Sequence, residues 1–99
     1  MTPDALPMLV FFCSQRSGPA RRMESLLAHL ARKERSRVRI RRVDVDANPE
    51  LAERFEITTI PTIVLVRGKQ ALGRIEGRAS APRIERLLAE HLEPELAAA

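Results

Sequence analysis

Cys13 ends an apolar run, Met8–Cys13, and Ser17-Gly18-Pro19-Ala20 follows four residues later. Three chemistries fit these residue types. A cysteine attacks as the thiolate, so Cys13 would need exposure and a positive neighbour, for which Arg16 is the nearest candidate in the chain. A serine at position 17 would need a general base before it could act as a nucleophile at neutral pH. The start of a helix at Gly18-Pro19, with Arg16, Arg21 and Arg22 close by, could hold an anion on its unpaired N–H groups. Against these stand plainer roles. A buried cysteine is a small apolar group, and a serine before a helix is an N-cap worth about 1 kcal/mol. These plainer roles are the ones expected of Cys13 and Ser17. A second stretch, Thr58-Thr59-Ile60-Pro61, interrupts the pattern before a β-forming run and is the other candidate binding segment.

The remaining composition narrows the choice. A single cysteine excludes an internal disulfide and a cysteine-based zinc site. With only His29 and His91 beside it, no metal or other cofactor is expected. The formal charge is +4, carried almost entirely by arginine, with lysine only at 33 and 69. That balance admits anionic partners, and "SRVRIRR" at 36–42 is the stretch a nucleic acid would favour. Single-strand binders stack bases on aromatics, and the chain has no Trp or Tyr and Phe only at 11, 12 and 55. Alternating arginine more often keeps a sheet edge soluble, so nucleic acid is not the expected partner. No apolar run approaches a membrane span, and Met1–Pro7 lacks the pattern of a secretory signal. A cytoplasmic monomer is expected.

The elements that would hold these residues read as β-α-β-α-β-β-α. Met8–Cys13 is a strand buried on both faces. Pro19 opens a helix whose apolar face is Ala20, Met23, Leu26, Leu27, Leu30 and Ala31, leaving His29 wet. Val38–Asp46 is a second strand, with an irregularity or two unequally buried faces around Arg41-Arg42. Asn48-Pro49 reads as an N-cap and first helical residue, with Leu51, Ala52 and Phe55 facing inward. Thr62–Val66 and Ala71–Glu76, joined by Gly68-Lys69, form an antiparallel hairpin. Ser80 caps a last helix with Pro82 in its first turn and Ile84, Leu87, Leu88 and Leu92 on its apolar face. Strands joined through a helix should be parallel with a right-handed crossover. The expected fold is α/β: one mixed four-stranded sheet with helices on both faces. The whole chain, 1–99, reads as a single domain with its core at about 8–92 and a frayed tail over 93–99.

In this order and spacing, "SGPARRM" at 17–23, "VDVDANPELAERFEITTIPTIVLVRGK" at 43–69 and Gly77 resemble the thioredoxin family. The family's first strand and helix have no counterpart in the seven residues before Met8. The resemblance implies a thioredoxin-like fold and a cis Ile60–Pro61 bond. It also implies that the loop of Thr59, Ile60 and Pro61 faces the turn at 17–20, with the Ile60 backbone pairing with extended peptides. It equally implies what is missing. Ser17 and Ala20 stand where the family has its two cysteines, Phe11 where it has a buried acid, and Arg16 where it has a tryptophan. Without a thiolate to attack and a second thiol to resolve, dithiol–disulfide exchange is not expected.

The reading that follows is a redox-inactive, thioredoxin-like module related to proteins of cell redox homeostasis. It would bind a peptide or protein segment through Arg16, Ser17, Thr59, Ile60 and Pro61. An atypical thiol oxidoreductase using Cys13, or a cysteine-substituted form of an active thioredoxin, are the alternatives. A glutathione-type enzyme using the Ser17 hydroxyl ranks below them, because the helical second domain of such transferases is missing.

Overall fold

Apolar side chains at every position of Met8–Cys13 leave that segment no face for water, and it lies inside the sheet as strand β1. The computed structural model describes residues 6–14 and 18–92, with side chains for all of these except 18–22. After β1 come α1 (Gly18–Lys33), β2 (Arg39–Asp44), α2 (Pro49–Arg54), β3 (Thr62–Arg67), β4 (Gln70–Glu76) and α3 (Ala81–His91). The strands lie in the order β2-β1-β3-β4. β1 runs parallel to β2, as a helical crossover requires, and antiparallel to β3; β3 and β4 form the antiparallel hairpin.

The expected order of elements holds, and three details are corrected. β2 is shorter than Val38–Asp46, and it pairs with β1 in unbroken register, so Arg41-Arg42 marks no irregularity. The phase change comes from its two faces, the other reading that the sequence allowed. Val38 and Ile40 pack into the cluster on one side of the sheet, Val43 and Val45 into the cluster on the other. The register shift sits in the hairpin, at Leu65/Val66, where β3 and β4 each run one residue longer than their apolar content suggested. Asn48 precedes α2 without capping it: its side-chain amide donates to the Asp44 carbonyl at 3.1 Å. Ser80 does cap α3, accepting from the Arg83 N–H at 3.4 Å.

Alternation along the strands builds two apolar layers. Leu9, Phe11, Ile63 and Leu65 face α1 and α3 and bury Leu27, Leu30, Ile84 and Leu88 against them. Gly73 on β4 permits this closeness, because a Cβ there would sit 2.9 Å from Leu87 Cδ1. Val10, Phe12, Val43 and Val64 form the opposite layer under α2, where the Phe12 and Phe55 rings meet at 5.6 Å. Gly68 takes the positive φ of +62° that closes the hairpin, a conformation glycine adopts without penalty. None of the described helices is long and apolar enough to cross a membrane.

Candidate functional site

Strand pairing brings the two candidate segments to one end of the sheet. Phe12 lies opposite Thr62, so one further step of the antiparallel register sets Cys13 beside Pro61. The end of β2 arrives there too. Asp44 pairs with Cys13, and the Val45 N–H donates to the Cys13 carbonyl at 2.9 Å. The Ser14 hydroxyl donates to Asp46 Oδ2 at 2.7 Å and ties the chain leaving β1 to the loop after β2. Gly18, Pro19 and Ala20 form the first turn of α1. Arg16 and Ser17 lie outside the described residues.

The Ile60–Pro61 peptide is cis. Pro61 is buried, Thr59 is exposed, and Ile60 is half-buried against the cluster that holds Cys13 and Met23. Two hydrogen bonds brace this loop. The Thr62 hydroxyl donates to the Thr59 carbonyl, and the Gly77 N–H donates to the Pro61 carbonyl at 2.7 Å. Neither the N–H nor the carbonyl of Ile60 enters a hydrogen bond with another described residue. A backbone donor and acceptor left open at an accessible loop can pair with an added extended strand.

Cys13 is buried, with 1% of its surface exposed. Its thiol donates to the Val43 carbonyl at 3.5 Å, and its sulfur accepts from Arg42 Nε at 3.3 Å. Arg42 also pairs with Glu24 at 3.3 Å. The guanidinium is held more firmly in its charged form, chiefly by the hydrogen bond to Cys13 and then by the charge around it. The described cation beside the thiol is therefore Arg42, which sequence proximity does not reveal. It comes from the neighbouring strand, where Phe11 pairs with Arg42 and Cys13 with Asp44. Phe11 is itself buried at 1% exposure, a phenyl ring where the family resemblance puts an acid. Among the described residues, no three of His, Cys, Asp and Glu are grouped to hold a metal.

Comparison with known proteins agrees with this fold. The family model described as thioredoxin matches residues 2–90. The chain is 32% identical over 87 residues to the thioredoxin of Alicyclobacillus acidocaldarius, covering 88% of this chain and 83% of that protein. It is 37% identical over 71 residues to the bifunctional thioredoxin reductase/thioredoxin of Mycobacterium leprae, covering 72% of this chain but only 16% of that protein. Among solved structures, the germline-specific thioredoxin Deadhead of Drosophila melanogaster superposes with a TM-score of 0.82 at 31% identity. That superposition covers 89% of this chain and 83% of the other. Fasciola hepatica thioredoxin gives a TM-score of 0.81 at 28% identity, covering 88% and 82%.

Proposed function

Because the chain belongs to the thioredoxin family yet carries Ser17 and Ala20 at the positions of the family's paired thiols, we propose that it binds an extended peptide or protein segment without exchanging disulfides. Thiol–disulfide exchange needs a thiolate to open the bond and a second thiol to release the mixed disulfide. Ser17 lacks the acidity for the first step and Ala20 lacks the atom for the second. What remains is the recognition surface. The observation that carries this reading is the Ile60 backbone, open for pairing next to a braced Pro61. A bound segment would add to it as a short strand beside Thr59, and Arg16 and Ser17 are the further residues proposed to contact it. The module would act in the cytoplasm as a monomer, with no cofactor, metal or nucleic acid.

Two measurements test this. In an insulin-reduction assay the purified chain should show no turnover above buffer, and turnover lost in Cys13→Ala would overturn the reading. Pull-down of the same client segment by wild type and by Pro61→Ala should differ at least tenfold, and equal recovery would place the binding surface elsewhere.

The Arg42–Cys13 contact favours one second reading, in which Cys13 acts as a stabilised thiolate. Its burial opposes that reading. Cys13 in the native protein should react with an aromatic disulfide reagent at least a hundredfold more slowly than in the protein unfolded in guanidinium. Comparable rates would restore the thiol reading.

A further inference from the structure

The sheet face under α2 is only partly closed. α2 has six residues, none of them buried. Beside it runs a groove of about 390 Å³ floored by Leu6, Met8, Val10, Leu51, Phe55 and Val66. Its rim is basic. In β2, Arg39 and Arg41 pair with Met8 and Val10 and so stand on this same face, and Arg54 approaches from α2. All three are exposed, and none of their side chains pairs with an acidic group among the described residues. Charged side chains on an edge strand keep it from pairing with other chains. Arg41 and Arg54 in the groove lining, with Arg39 on the same face beside them, make a charge pattern that a ligand can complement.

From this pattern we propose that the groove binds an acidic amphipathic helix of a protein partner, with its apolar stripe on Met8, Val10 and Val66 and its carboxylates on Arg39, Arg41 and Arg54. The spacing suits a helix. Residues two apart on a strand stand roughly 6.6 Å apart, and carboxylates at i and i+4 on a helix are about 6 Å apart along its axis. Helix-in-groove recognition uses the same i, i+3, i+4 anchors. A second copy of this chain is the poorer occupant. It would bring two sets of arginines together, on a protein already at +4. The site is separate from the Pro61 loop and does not depend on the function proposed for it.

The test uses two synthetic helical 15-mers with one shared leucine stripe, flanked by glutamates in one and by lysines in the other. Each is titrated into the full chain at low salt and followed by amide chemical shifts. The glutamate peptide should bind at least tenfold more tightly. It should shift Met8, Val10, Leu51 and Val66 while sparing Thr59–Thr62, and Pro61→Ala should not alter it. Arg41→Glu with Arg54→Glu, both at exposed positions, should leave thermal unfolding unchanged and reverse the preference. Equal affinities, or shifts centred on Thr59–Thr62, would overturn the proposal. So would a concentration-dependent dimer that buries Met8 and Val66, or contacts from residues 1–5 to those side chains in the free protein.

Discussion

On one face of the sheet, Leu9, Phe11, Ile63 and Leu65 lie sealed beneath the 16 residues of α1 and the 11 of α3. On the other, Val10, Phe12 and Val64 meet a six-residue helix, and Met8, Leu51, Phe55 and Val66 stay only partly covered. The strands are equally apolar toward both sides in β1 and β3. What differs is the length of the helix laid over them and the arginines that β2 turns toward the second side. Burial on the first face therefore contributes mainly to stability. The second face keeps apolar area that folding leaves accessible, and an accessible apolar area beside unpaired charge is where a partner gains most.

The comparison breaks if truncations on the two sides cost the same. Leu88→Ala, in a fully buried site on the closed face, should lower unfolding free energy by about 2–5 kcal/mol in urea titrations. Leu51→Ala on the open face should cost about 1 kcal/mol or less, because little of that area leaves water on folding. The helix starts sharpen it further. Ser80→Ala removes the cap of α3 and should cost about 1 kcal/mol. Asn48→Ala, at a position whose side chain caps nothing, should cost less in the same assay. The smallest effect concerns the exposed tie between α1 and α3 on the closed face, Lys33 to Glu85 at 2.9 Å. The hydrogen bond to Glu85, followed by its charge, raises the Lys33 pKa above the ordinary 10.5. A folded-state value above the unfolded one means the stabilisation is present at neutral pH and lost as pH climbs through the raised value. Side-chain NMR of the Lys33 ammonium should show its titration midpoint fall when Glu85→Gln removes the partner.

Much of this architecture is readable in one dimension. The three- and four-residue steps from Met23 to Leu30 and from Ile84 to Leu92 place both long helices. The unbroken apolar run to Cys13 marks an interior strand, and Gly68-Lys69 marks the hairpin. Asn48 misled because its side chain found a competing acceptor, the Asp44 carbonyl, four residues earlier, a choice that residue type does not encode. The arginines at 41 and 42 left two readings of β2 open, an irregularity or two unequally buried faces, and pairing register decides for the second. They follow one another across a regular strand whose two faces meet different layers, Arg42 toward Cys13 and Glu24, Arg41 toward the groove.

Residue identity alone leaves positions 17 and 20 without sulfur, since no arrangement in space supplies what Ser17 and Ala20 lack. Periodicity likewise dictated the succession of strands and helices, because side-chain direction repeats with a fixed local period. The placement of Arg42 against a thiol 29 positions away, the open backbone of Ile60 and the basic-rimmed groove came only with the folded chain. Each depends on which residues stand opposite one another across strands far apart in sequence, and on how much of a sheet face a given helix can cover. Those are properties of pairing register and packing, set by the whole chain at once.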